Sequence, residues 1–137
     1  MATVNGTKGG TAGLPAYASN KVVVVENSYD FATNNATAAD VIQLINVPAN
    51  TLVLSVLSEC VTAEGGVMTY QVGDGTDPNG WDDAVNGNSA AGVIVGDGAY
   101  VAAAGKIYTA ADTLDIVPSA DSDAAEIRVI AVMVEIG

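Results

Sequence analysis

Residues 67–73, VMTYQVG, alternate apolar and polar side chains one by one, placing Met68, Tyr70 and Val72 on one side of an extended chain and Thr69 and Gln71 on the other. Wound into a helix, an alternation of period two would scatter its apolar residues around the whole cylinder, so the segment demands a strand with one buried face. Similar short runs recur along the chain, separated by Gly, Pro, Asn and Asp. KVVVVEN (21–27) is β-branched and ends at turn-forming residues. ADVIQLINVPANT (39–51) fits a helical face through Ala38, Val41, Ile42 and Ile45, and a strand face through Ile42 and Leu44. The strand is favoured, because Pro48 biases Val47 toward an extended conformation and Pro-Ala-Asn starts a turn.

That turn leads into TLVLSVLSECVTA (51–63). Read with period two, Leu52, Leu54, Val56, Ser58 and Cys60 share one face and Val53, Ser55, Leu57, Glu59 and Val61 the other. Both faces are apolar, the pattern of a strand covered on both sides. EGG (64–66) then reads as a turn that joins it to 67–73 in a hairpin. From GDGTDPNGWDD (73–83) to about Gly92 the chain reads as one long loop with Asn-Gly turn signals at 79–80 and 86–87. VIVGDGAY (93–100) suggests two short strands around an Asp-Gly turn. In KIYTAADTLDIVP (106–118) a strand directs Leu114 and Ile116 inward and Thr113 and Asp115 outward, and Pro118 closes it. EIRVIAVMVEI (126–136) sets Glu126 and Arg128 against Ile127 and Val129, then becomes apolar on both faces from Ile130 to Val134, which places its second half under another layer or another subunit.

Short strands with turn signals at regular spacing indicate an all-β fold, an antiparallel β-sandwich or barrel. A length of 137 residues fits one domain. Residues 1–19 are rich in Gly, Thr, Ala and Asn without an apolar period, so they read as an extended N-terminal arm preceding a domain over 20–137. Leu14 and Tyr17 are the arm's candidates for contact with a partner.

Four basic residues stand against sixteen acidic ones, a net charge of −12. Such a surface repels phosphate, so direct binding to nucleic acid is not expected. The longest apolar runs fall well short of the roughly 20 residues that span a bilayer, and the N-terminus lacks the pattern of a secretory signal, so no membrane partner is expected. A single cysteine precludes an intrachain disulfide, which suits assembly in a reducing cytoplasm.

Histidine is absent, which removes the commonest general base and metal ligand. Cys60 lies on an apolar strand face with no neighbouring base to activate it. No phosphate-cradling glycine motif introduces a helix, and no cofactor is expected. The aspartates of 73–83 invite a comparison with calcium loops. Counted from Asp74, the carboxylates fall at positions 1, 4, 9 and 10, which fails the EF-hand pattern. An irregular cation site using Asp74, Asp77, Asp82 or Asp83 stands beside the simpler reading that Asp, Asn, Gly and Pro serve turns. Trp81 has two readings as well: a cover for a core edge, or an anchor on a neighbouring subunit.

The order of segments YDFATNNATAADVIQLINVPANTLV, VTAEGG, YQVGDGTDPNGW and KIYTAADTLDI, followed by an apolar strand, resembles small structural proteins of tailed bacteriophages, in particular the jelly-roll cement or decoration proteins of capsids. The signatures lie at 30–35, 47–51, 72–77 and 108–113, and the resemblance covers about 29–136. It implies a non-enzymatic, homo-oligomeric, jelly-roll-like sandwich, a dimer or trimer that binds the major capsid protein and ties capsomers together. The implied location is the capsid surface of the virion, after assembly in the host cytoplasm. Other readings are a tail, head-fibre or baseplate subunit of the same fold, and a carbohydrate-binding module or small hydrolase.

Overall fold

A computed structural model describes residues 21–89 and 94–136. The described residues form strands β1 (Val22–Asp30), β2 (Ile42–Val47), β3 (Thr51–Thr62), β4 (Thr69–Gly73), β5 (Asp82–Asn86) and β6 (Ile94–Val95). A single helical turn α1 (Ala99–Ala102) follows, then β7 (Lys106–Tyr108), β8 (Asp112–Pro118) and β9 (Glu126–Glu135). The expected arm over 1–19, with Leu14 and Tyr17, lies outside the described residues.

The pairing shows how the chain is wrapped. β1 pairs with β9, β2 with β8, β3 with β7 and β4 with β5, always antiparallel. First meets last and each successive strand meets the next one inward, as in a long hairpin folded at its middle and rolled up. The result is two sheets, one ordered β1-β9-β3 with β6 and β7 both along the far side of β3, the other β2-β8-β4-β5. This is the antiparallel sandwich that the alternating segments demand, and its wrapping is that of a jelly roll. β6 and α1 are inserted between β5 and β7.

Side chains from both sheets fill the space between them. β9 contributes Ile127, Val129, Ala131 and Met133, and β8 contributes Leu114 and Ile116. β4 contributes Tyr70 and Val72, with Met68 just ahead of it. Phe31 closes one end, its ring edge-on to Tyr29 with centroids 4.9 Å apart.

Several expectations are corrected. β3 does not alternate evenly: the pairing with β9 shifts between Val53 and Ser55, so a bulge transfers the inward face from Val53 to Val56, Ser58 and Cys60. Nor is β3 covered on both sides, since Leu54 is exposed and Leu52, Leu57 and Val61 are half-buried. Residues 51–63 and 67–73 do not form a hairpin. The EGG turn, with Gly65 at φ 86°, carries the chain from one sheet to the other. Glu64 locks that crossing by accepting hydrogen bonds from the backbone N–H groups of Asp123, Ala124 and Ala125. Burial opposes its charge, but these bonds prevail and hold the carboxyl below its ordinary value. The long loop contains a strand, β5, which pairs with β4. Past β6 the Asp-Gly segment opens the α1 turn rather than a second strand. Asp115 alternates with the inward-facing Leu114 and Ile116 as expected, yet it is buried between its strand partners Gln43 and Gly73.

The outer face of β9 changes character along its length, from Glu126 and Arg128 to Ile130, Val132 and Val134. Beside its apolar half, Val22 and Val24 of β1 are 59% and 65% exposed.

Candidate functional site

The stretch 73–83 links β4 to β5 and brings together the side chains with the most chemistry. Asp74 begins it with a tight turn: one carboxylate oxygen accepts hydrogen bonds from the N–H groups of Thr76 and Asp77, both at 2.9 Å. This is the local capping that makes Asp a turn residue. The other oxygen accepts from the Lys106 ammonium at 2.6 Å and from the Tyr108 hydroxyl at 2.7 Å. Trp81 Nε1 donates to the same Tyr108 hydroxyl at 3.1 Å. Lys106 also donates to the Tyr100 hydroxyl at 2.9 Å and lies 4.4 Å and 4.6 Å from the centroids of the Tyr100 and Tyr108 rings. The loop, α1 and β7 are thereby fastened at a single point.

Close backbone approach makes this possible. The Gly98 N–H donates to the Trp81 carbonyl at 2.7 Å, and the Tyr100 N–H donates to the Gly80 carbonyl at 2.8 Å. A Cβ on Gly98 would stand 2.3 Å from the Gly80 carbonyl oxygen, and one on Gly80 would stand 2.2 Å from the Tyr100 ring. The clash at Gly98 is with backbone, so that position requires glycine, whereas a side chain at Gly80 would displace the Tyr100 ring. The Tyr100 ring packs edge-on to Trp81 at 5.2 Å, and the indole has no exposed surface. Trp81 covers the core edge, the first of its two readings, and it presents no face to a sugar or to a neighbouring subunit.

A second carboxylate sits a few residues on. Asp82 is wholly buried; it accepts from the Ser58 hydroxyl at 2.6 Å and from the Asp97 N–H at 3.1 Å, and Ser58 in turn accepts from the Tyr70 hydroxyl at 3.1 Å. With no cation beside it, burial pushes the Asp82 carboxyl up to about 7. At Asp74 burial acts in the same direction, but the bonds from Lys106, Tyr108 and the turn outweigh it and hold that carboxyl below its ordinary value. Lys106 is raised in turn: burial opposes its charge and the bond to Asp74 overcomes it. Burial is also the chief cause that raises the Tyr70 and Tyr108 hydroxyls.

The four carboxylates considered as cation ligands are not brought together. Asp74 is occupied by Lys106 and Tyr108 and Asp82 by Ser58, while Asp83 is exposed. Asp77 serves the turn, accepting from the Asn79 N–H through its side chain and from the Gly80 N–H through its carbonyl. Among the described residues no group of three or more His, Cys, Asp or Glu is placed to hold a metal ion. Cys60 is buried, and burial raises its thiol. Beside the Asp74 cluster a shallow hollow of about 160 Å³ opens between Thr76, Tyr108 and Asp112. That is smaller than the roughly 300 Å³ at which pockets for small molecules begin. The arrangement joins elements to one another rather than exposing reactive groups to a substrate.

Sequence reasoning found the loop and its tryptophan but not its partners. Lys106 carried a signal in its scarcity, being one of four basic residues among sixteen acids. Nothing in the spacing of Ser58, Tyr70 and Asp82 foretells that they meet, since the crossing between sheets brings them together.

No family model matches the chain, and neither does any curated protein. Solved structures do match. A chain in the capsid asymmetric unit of cyanophage Pam1 is similar at 20% identity with a TM-score of 0.63, over 86% of each chain. One in the capsid of Ralstonia phage GP4 is similar at 19% identity and a TM-score of 0.62, over 89% of this chain and 88% of that one. One in the acid-stable capsid of Helicobacter pylori bacteriophage KHP30 is similar at 11% identity and a TM-score of 0.53, over 84% of this chain and 92% of that one. The jelly roll described above is thus a fold found, over 84–89% of its length, among chains of phage capsid structures.

Proposed function

We propose that the protein is a non-enzymatic structural component of a phage virion, a cement or decoration protein on the head surface that binds the major capsid protein and ties neighbouring capsomers together as a homo-oligomer. The observation that carries this reading is the match of the jelly roll, over more than four-fifths of both chains, to chains of three phage capsid structures. The candidate site supports it, because its polar groups are spent on one another. A net charge of −12 speaks against contact with packaged nucleic acid and suits the outside of a shell. On a lattice, many weak contacts of identical copies add up to firm attachment.

The test uses heads assembled without the protein. Added protein is expected to co-sediment with them and to raise the temperature at which they release DNA. Heads that neither bind it nor gain heat resistance overturn the assignment, and binding to isolated tails instead would identify a tail, head-fibre or baseplate subunit.

A further inference from the structure

The outer face of the sheet β1-β9-β3-β7 is apolar at one end. Residues opposite one another across the strands form two rows there: Val22, Val134, Leu52 and Ile107, and next to them Val24 with Val132. Val22, Val24 and Ile107 are all more than half exposed, at 59%, 65% and 55%. Farther along, the same face turns to Glu26, Arg128 and Glu59. Single exposed valines need no explanation, but apolar residues aligned on adjacent strands mark a surface made to be covered.

The course of the chain identifies the cover. Residues 1–20, outside the described residues, join the domain at Lys21, at the corner of this face. From β1 to β7 the face spans three strand spacings, about 14 Å. Tyr17 and Leu14 stand five and eight positions before Val22, within roughly 16 Å and 26 Å of it along an extended chain. Between them and the strand lie Ser19 and Asn20, residue types that favour reversal of direction. Residues 1–20 hold Lys8 and no acidic residue, so their charge attracts them to an acidic domain. A segment tethered this closely meets its own domain at an effective concentration in the millimolar range, ahead of any free neighbour.

We propose that the N-terminal segment folds back across the outer face of its own sheet, with Tyr17 over the valines of β1 and β9 and Leu14 reaching toward Leu52 and Ile107. The residues that sequence alone assigns to a partner thus seal the domain to which they belong. This inference does not rest on the virion reading, and its test uses the isolated protein without heads.

A full-length chain carrying Leu14→Cys and Leu52→Cys is mildly oxidised at low concentration, with Leu14→Cys and Gln43→Cys as a control on the opposite sheet. Cys60 is buried and does not compete. The first pair is expected to close within one chain in most molecules, and the control pair to remain largely open. In parallel, Leu14→Ser with Tyr17→Ser should bind a hydrophobic dye several-fold more strongly while the β-sheet circular dichroism is unchanged. Disulfides formed only between chains would assign the segment to a neighbour and overturn the proposal. Equal closure of both pairs, or unchanged dye binding, would also overturn it.

Discussion

Asp74 and Asp82 leave the same connection between β4 and β5, both buried, yet the protein treats their charges in opposite ways. Asp74 meets Lys106 and the Tyr108 hydroxyl and is kept ionised. Among the described residues Asp82 accepts from a hydroxyl and an N–H, and its carboxyl rises to about 7. Desolvation acts on both, so what separates them is the set of donors: Asp74 gains a cation and a hydroxyl from β7 and two turn N–H groups, whereas Asp82 gains one hydroxyl and one N–H and faces the Asp97 charge. A carboxylate's charge in a small β domain is thus decided by what the opposite edge of the sandwich delivers, more than by its own turn. With four basic residues in the chain, few such partners are to be had.

The largest break in this contrast comes from removing the cation. Lys106→Met leaves the Asp74 carboxylate enclosed without a counter-charge, and chemical denaturation should show a loss of about 3 kcal/mol. Adding Asp74→Asn to that variant should recover more than half of the loss. If Lys106→Met costs nothing, the pair does not hold the loop.

The next effect is read against pH. The Asp82 carboxyl is raised in the fold, so between the ordinary aspartate range and about 7 the folded protein keeps a proton that the unfolded chain has released. Its effect on stability is therefore most favourable at the acid end of that window and declines as pH rises through it. From about pH 5 to about pH 8 the decline should amount to roughly 2.5 kcal/mol. Asp82→Asn, which preserves the shape, should flatten this slope and melt above the unaltered protein at about pH 8; parallel slopes would refute the assignment. Asp74 and Glu64 have lowered values, so their contribution is lost only when pH falls below the usual carboxylate range. The smallest effect sharpens the comparison from outside: Asp83→Asn, adjacent in sequence but exposed, should stay within about 0.5 kcal/mol of the unaltered protein.

Much of the fold was legible because period-two patterns survive in single strands. Met68, Tyr70 and Val72, and Leu114 and Ile116, face the core as their alternation requires. The bulge after Val53 was hidden, since a strand apolar on both faces bears no mark of where its inward side changes. β5 was hidden for another reason: the turn-forming composition of 73–92 masks five residues, DDAVN, whose pairing with β4 is what makes them a strand. Of the site, Asp74 and Trp81 could be singled out from sequence. Whether Trp81 faced outward or inward could not, because Gly80, Gly98 and Tyr100 enclose it through contacts between distant parts of the chain.

The pairing of β1 with β9, Val22 opposite Val134, sets a timetable for folding. As the chain emerges from the ribosome, its first strand must wait for its last, because the strand between β1 and β3 in the finished sheet is the final one to be made. Contacts of such long sequence separation form slowly. Until residues 126–135 have been made, β1 and β3 lack the strand that pairs with both of them. The β1-β9-β3 part of the sheet is therefore completed only after β9 has been made, not strand by strand during synthesis.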